Sequence, residues 1–384
     1  MKAMRSTLPA AALLALAACA DQSPTAGPAA EAAPLLAARA GGIDGQYIVV
    51  LNEGADPRSV AAVAGVSPGF VYTAALNGFS ATLNEGQLNA LRHNPNVDYV
   101  EQDGRAQAWT TQSGATWGID RIDQRNLPLS GTYTYNATAS TVYAYVIDTG
   151  IQANHPQFGT RAASAYDALG GNGADCNGHG THVAGTIGST TYGVAKQVRL
   201  RGVRVLDCNG SGSFSAIIAG IDWVRLNRVN PAVANLSLGG SLNTSVNTAV
   251  TNLSNSGVFV AVAAGNSNSN ACNFSPASAP AVFTTASSER TDARRSSSNY
   301  GSCVDGYAPG GSITSTWIGS GTSTISGTSM ASPHVAGVAA LYKSVNGNVS
   351  SATIDTWIKN NATLNKITGN PSGTPNRLLY KSTL

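Results

Sequence analysis

This 384-residue sequence predicts an α/β fold with a mostly parallel central sheet, preceded by a smaller α+β unit. Two observations carry that reading. From Trp117 onward, short runs that are apolar on both faces alternate with helical patterns, the mark of a parallel sheet covered by helices on both sides. Before them, the stretch 46–103 carries its own shorter alternation of strand and helix signals, in the order β-α-β-β-α-β.

In the smaller unit, Tyr47 to Leu51 reads as a strand, Val60 to Val66 as a short helix and Gly78 to Leu83 as a second strand. Asn84-Glu85 leads into a helix through Leu88 and Leu91, and Val97 to Val100 closes as a strand. In the larger unit, Val142 to Ile147 is a strand and Thr181 to Gly188 a helix. Val198 to Leu206 is a strand, Ser213 to Asn227 an amphipathic helix and Ala232 to Leu238 a strand. Val246 to Ser256 is helical, and Val258 to Ala264 and Ala281 to Ala286 are strands. Met330 to Val345 is a helix with Pro333 placed in its first turn, where a missing N–H costs nothing.

Composition points to an exported globular protein. Only 11% of residues are charged and 42% are hydrophobic, and a net charge of +3 is too small to suggest nucleic acid as a partner. Acidic groups outnumber basic ones in 20–105 and the balance reverses in 106–384, which suits an N-terminal segment that docks on the remainder. Lys2 and Arg5 precede the apolar run Leu8 to Ala18, too short to span a bilayer and of the right form for a secretion signal over 1–19. No transmembrane span is expected. The run ends in Leu16-Ala17-Ala18-Cys19, which reads equally as a lipoprotein box with Cys19 lipidated or as an ordinary signal cleavage. An Ala/Pro/Gly-rich tether follows over 20–45. Setting Cys19 aside leaves Cys176, Cys208, Cys272 and Cys303, an even number that suggests two disulfides with three possible connectivities. The absence of any CxxC pair argues against structural zinc.

Three short segments carry the chemistry: Val146-Ile147-Asp148-Thr149-Gly150, Asn177-Gly178-His179-Gly180-Thr181-His182 and Gly327-Thr328-Ser329-Met330-Ala331-Ser332-Pro333. An Asp, a His and a Ser, each set among small residues, are the three parts of a serine nucleophile relay. Ser329 opens a helix, so its own N–H is one of the unpaired donors of a helix start and can help hold a developing oxyanion. His179 is the base, and His182, facing apolar neighbours, reads as structural. His93, His155 and His334 lack comparable context. Asp148 at the end of a strand can orient His179. Asn266, after Val262-Ala263-Ala264-Gly265, can donate its amide to the oxyanion.

The order Asp, His, Ser is that of subtilisin and differs from the orders of chymotrypsin and the α/β-hydrolases. From about Gln46 to Tyr380 the chain resembles the subtilase family of serine peptidases, in its proteinase K and aqualysin type. The small unit resembles the inhibitory propeptide of that family, through Asn77-Gly78-Phe79-Ser80-Ala81 and Val97-Asp98-Tyr99-Val100-Glu101.

The resemblance implies a subtilisin-like three-layer fold over 106–384 and a small ferredoxin-like propeptide domain over 46–105. The propeptide would act as intramolecular chaperone and inhibitor and would be removed by self-cleavage between Arg105 and Gln112, within 106–112. It further implies a secreted endopeptidase, monomeric after processing, that acts on polypeptides. Gly210, Gly212 and Phe214 with Ser237, Leu238 and Gly239 would bracket an extended substrate, and Ala263, Ala264 and Gly265 would wall the pocket beside the scissile bond. These walls are small and uncharged, which favours apolar or aromatic side chains. Disulfide pairing would be sequential, Cys176 with Cys208 and Cys272 with Cys303. Structural Ca²⁺ would be held by the carbonyls of Pro280 and Val282 and the carboxylate of Asp305. A second calcium site is only partly matched by Asp120, Asp123 and Gln124, with Ser130 and Thr132 where other oxygen ligands would stand.

Two other readings compete. An esterase would carry a Gly-x-Ser-x-Gly elbow with Ser ahead of His, whereas Ser329 comes last and is followed by Met330-Ala331. A catalytically weak or inactive peptide-binding homologue would be expected to lack one of Asp148, His179, Ser329 or Asn266, and all four are present.

Overall fold

A computed structural model describes residues 31–38, 42–105 and 110–384. The signal segment, Cys19, much of the tether and positions 106–109 of the expected cleavage region lie outside the described residues. The chain divides into two compact units, at Arg105 and Ala106.

The first unit contains β1 (Leu35–Leu36), β2 (Gly42–Leu51), α1 (Pro57–Val63), β3 (Phe70–Tyr72), β4 (Gly78–Thr82), α2 (Glu85–Arg92) and β5 (Val97–Gly104). Its sheet runs β1-β5-β2-β4-β3. The pairs are antiparallel except β1 with β5. Helix α1 starts earlier than its apolar pattern suggests because Asp56 caps it, accepting from the N–H groups of Arg58 and Ser59. Asn84 and Gln87 form a reciprocal capping box that starts α2. Val49, Leu51, Val60, Phe79, Leu91 and Val100 fill the core between sheet and helices. The tether expected over 20–45 is partly strand. Ala33 is buried and its N–H donates to the Arg92 carbonyl, and this anchors β1 as an extra edge strand that no side-chain pattern announces.

The second unit begins with β6 (Thr110–Ser113), α3 (Trp117–Asp123), β7 (Thr132–Tyr135), β8 (Tyr143–Asp148), β9 (Ala162–Asp167), α4 (His179–Gly188) and β10 (Arg199–Arg204). Then come α5 (Phe214–Asn227), β11 (Ala232–Leu236), β12 (Gly240–Ser241), α6 (Thr244–Asn255), β13 (Phe259–Ala263), β14 (Phe274–Ser275), β15 (Phe283–Ser288) and β16 (Gly306–Pro309). It ends with β17 (Ile313–Trp317), β18 (Gly321–Ile325), α7 (Thr328–Asn346), α8 (Ser351–Asn361), β19 (Thr363–Leu364) and β20 (Arg377–Leu378).

Nine strands form the central sheet in the order β19-β20-β16-β15-β13-β11-β8-β10-β9. Every pair is parallel except β19 with β20 at one edge. Alternation along β8 shows why the strands are apolar on both faces. Ala144 and Val146 pack with Val183 and Ile187 of α4 and with the buried face of α7, while Tyr145 and Ile147 pack with Ile217 and Ile221 of α5 and Val250 of α6. The sheet is therefore the middle of three layers. β9 and β10 lie on one side of β8, and the chain then crosses to β11 on the other, so the strand order reverses at β8. A crevice at the carboxyl ends of strands about such a point is the expected ligand site of an open α/β sheet.

Candidate active site

Asp148 is the last residue of β8 and lies at that crevice, fully buried. Its Oδ1 accepts from the Thr149 N–H at 2.8 Å and lies 2.7 Å from His179 Nδ1. With Nδ1–H donating to the carboxylate, Nε2 is left free to accept a proton. Burial works against the imidazolium, but the Asp148 carboxylate, with Asp175 behind it, outweighs that and raises the His179 pKa above its ordinary 6.5.

His179 is the first residue of α4, two residues before the helix start that the apolar pattern indicates. Two glycines make that start possible. Gly178 has φ 109° and faces the Trp317 ring so closely that a Cβ would fall 2.4 Å from it. Gly180 lies against the Gly150 carbonyl, where a Cβ would be 2.1 Å away, so the Asp148 turn and the His179 helix touch backbone to backbone.

Ser329 is the second residue of α7, since the helix begins at Thr328 and not at Met330. This moves Pro333 out of the first turn and into the helix interior, a correction to the sequence reading. The proline lacks the N–H that would bond the Ser329 carbonyl four residues back, and the Ser237 hydroxyl supplies the donor instead, at 2.7 Å. Ser237 Oγ in turn accepts from Asn235 Nδ2 at 2.9 Å, and Asn235 Oδ1 accepts from Ser332 Oγ at 2.7 Å. This buried chain ties the start of α7 to the end of β11. Asn235 and Ser332 were missed in the sequence because a buried amide and hydroxyl look like ordinary small polar residues. The Ser329 hydroxyl donates to the Ser237 carbonyl at 3.1 Å, so that bond must break before its proton can pass to His179.

Asn266 follows β13 and is exposed. Its Oδ1 accepts from the Thr328 N–H at 2.9 Å and from Thr328 Oγ1 at 3.1 Å, while Thr328 Oγ1 accepts from the Gly265 N–H at 3.1 Å. Because a backbone N–H can only donate, the amide orientation is fixed and its NH₂ is left available. Thr328 thus joins the site, a residue the sequence reading passed over although it lies beside Ser329.

Two adjoining cavities of about 640 and 230 Å³ flank these groups. His179, Gly210, Gly212, Phe214 and Ser237 line the larger, and Ala263, Ala264, Gly265, Asn266 and Ser329 the smaller. Leu238, Gly239, Gly240 and Ser241 are common to both, so every wall residue expected from the sequence borders one or other of two adjoining cavities.

A family model described as the subtilase family matches residues 140–378. The chain belongs to the subtilase family. A model for the peptidase inhibitor I9 domain matches residues 46–108. The chain is 49% identical to an extracellular serine proteinase of Thermus sp. strain Rt41A, over 96% of this chain and 97% of that one. It is 52% identical to the subtilisin-like serine protease AsES of Sarocladium strictum, over 82% of each chain. Among solved structures, a cold adapted subtilisin-like serine proteinase superposes with a TM-score of 0.69 at 52% identity, covering 70% of this chain and 99% of that one. The protein is a secreted serine endopeptidase of the subtilisin type.

Two further histidines of this subtilase have structural surroundings. His182 is buried, with Nε2 3.0 Å from the Ile313 carbonyl and 3.2 Å from that of Ser323. Burial pushes its pKa down to about 4. His334 is buried too, with Nδ1 2.9 Å from the Met330 carbonyl, and burial likewise pushes it to about 4. Cys176 is bonded to Cys208 and Cys272 to Cys303. The first bridge links the segment before α4 to the loop after β10, where the Cys208 carbonyl accepts from Asn177 Nδ2 at 2.9 Å. No helix among the described residues is long and apolar enough to cross a membrane.

At the expected calcium positions, Asp305 Oδ2 accepts from the Thr284 N–H at 2.8 Å and Oδ1 lies 2.7 Å from Lys359 Nζ. Burial raises the Asp305 pKa even with that ammonium beside it. At the partly matched second site, Asp123 Oδ1 pairs with Lys381 at 2.9 Å. Asp120 there accepts from Ser130 and Gly131, and Gln124 Oε1 from the Ser130 N–H.

Proposed function

We propose that Ser329, His179, Asp148 and Asn266 divide the peptidase reaction among them. Ser329 Oγ attacks the scissile carbonyl while His179 Nε2 takes its proton, and the oxyanion is held by the Asn266 amide and the Ser329 N–H. His179 then protonates the leaving amine, the C–N bond breaks, and water, deprotonated by the same imidazole, releases the acyl group from Ser329. Asp148 keeps Nδ1 protonated and stabilises the transient imidazolium. The 2.7 Å contact between Asp148 and His179, at the crevice that also holds Ser329, carries this reading. An activated ester substrate should give a rapid burst of alcohol equal to the enzyme concentration, and Ser329→Ala should give none. A full burst from the Ser329→Ala protein would refute the assignment.

Substrate would lie extended between the Gly210 and Ser237 segments, held by backbone pairing, with its apolar or aromatic side chain against Ala263, Ala264 and Gly265. The unit 46–105 is a ferredoxin-like propeptide that assists folding and inhibits until removed. The inhibitor-domain match over 46–108 and the βαββαβ core of that unit support this.

Calcium at Asp305, with the Pro280 and Val282 carbonyls, is consistent with the donor chemistry of one carboxylate and neutral oxygens. The Lys359 ammonium lies 2.7 Å from Asp305 Oδ1, and calcium bound there would have to displace it. Bound there, calcium supplies stability and takes no part in the chemical step.

A further inference from the structure

We propose that Asp175 is a positioning residue that holds the two halves of the relay in register and adds negative charge behind His179. This rests on the assignment of Asp148 and His179 made above. The Asp175 carboxylate accepts five hydrogen bonds. Oδ1 takes those of Thr149 Oγ1, the Asn177 N–H and the Gly178 N–H, each at 2.9 Å. Oδ2 takes those of the Thr181 N–H at 2.9 Å and Thr181 Oγ1 at 2.6 Å.

The donors belong to both catalytic segments. Asn177, Gly178 and Thr181 surround His179 at the start of α4, and Thr149 follows Asp148 directly. Thr149 closes the link, since its N–H donates to Asp148 Oδ1 while its Oγ1 accepts from the Gly180 N–H at 2.9 Å. A single carboxylate therefore fixes where the β8 turn meets the helix that carries the base. Three of its donors are backbone N–H groups of the α4 start, unpaired within the helix and biased toward negative charge by the peptide dipoles.

Removing the charge has a second consequence. Among the described residues, the titratable groups around His179 are Asp148 from β8, Asp175 from the preceding loop, and His182 one turn along α4, with His334 of α7 beyond it. Asp175 is the second of only two anions in that set, so its loss makes the imidazolium harder to form.

The test is the pH dependence of kcat/KM for Asp175→Asn and Asp175→Ala, measured on active-site-titrated enzyme so that unfolded or unprocessed chains do not count. Asp175→Asn should lower kcat about tenfold with a smaller change in KM, because Asp175 does not itself line the cleft, and should move the acid limb to lower pH. Asp175→Ala should lower kcat further. If the alanine variant does not fold, the asparagine variant decides alone. Wild-type kcat and acid limb in Asp175→Asn, with only the melting temperature reduced, would overturn the proposal. His179→Ala separates the two levels of inference: if it retains full turnover the relay assignment itself fails, whereas an inactive His179→Ala beside a wild-type-like Asp175→Asn removes only the role of Asp175.

Discussion

Acidification should destabilise the catalytic unit through two histidines that take no part in the reaction. His182 and His334 are buried, and both have pKa values near 4 against an ordinary 6.5. In the unfolded chain each binds a proton as pH falls through about 6.5, while the folded protein does so only near 4, so the unfolded state holds more protons in that window and stability declines. A displacement of about 2.5 pH units corresponds to roughly 3 kcal/mol per histidine. Lost together, the two amount to a large part of the 5 to 15 kcal/mol typical of a folded domain. His334→Asn keeps a donor where Nδ1 faces the Met330 carbonyl and cannot be protonated. It should lose less stability than its parent between pH 6.5 and 4, by roughly the contribution of one histidine. Guanidinium unfolding of the Ser329→Ala chain, followed by tryptophan fluorescence, measures this directly, because all five tryptophans lie in 106–384 and none in the smaller unit. An unchanged dependence on pH in His334→Asn would refute the reasoning.

Other outcomes follow from the same contacts. Ser329→Ala and His179→Ala should each cost several orders of magnitude in turnover and should not add when combined, as is the case in subtilisin itself, and steady-state kinetics of the double variant checks this. Replacing Cys272 and Cys303 by Ser should lower stability by about 3 to 4 kcal/mol, the chain-entropy value for a loop of 31 residues, read as a shift in the denaturation midpoint. Chelation should lower the melting temperature of inhibited enzyme, Asp305→Ala should abolish that response, and Lys359→Met should enlarge it by freeing the carboxylate. A melting temperature indifferent to chelator in all three proteins would remove calcium from the account. In a host lacking other proteases the Ser329→Ala chain should accumulate uncut, while wild type yields a new N-terminus inside 106–112, both read by mass spectrometry.

The sheet was legible because parallel strands buried on both faces must be almost wholly apolar, as β13 is throughout and β8 and β11 are apart from Asp148 and Asn235. The hairpin β17–β18 was not, since Thr314, Ser315, Thr316, Thr322, Ser323 and Thr324 give no apolar period and the pairing is made by backbone. The edge strand β9 failed to register because Ala162, Ala163, Ser164 and Asp167 give it no apolar run and none of its residues is fully buried, and β16 and β20 because they are only four and two residues long. Asp148, His179, Ser329 and Asn266 could be singled out because each is set among small residues that permit close backbone approach. Asp175 and the Asn235–Ser332 chain act mainly on backbone groups or on buried hydroxyls, and those partners leave no signature in the order of side chains. The pattern places Pro333 in a first turn, but the helical backbone of Thr328 starts α7 earlier, and the donor from Ser237 lets the helix hold the proline inside it.

The central claim is that Ser329 is the attacking atom's residue, and stoichiometric inactivation with a sulfonyl fluoride tests it most directly. Peptide mapping of the inactivated protein should find one sulfonyl group, on the peptide containing Ser329, with residual activity falling in proportion to its incorporation. Complete inactivation with the label on another residue, or full incorporation at Ser329 with peptidase activity intact, would contradict the account.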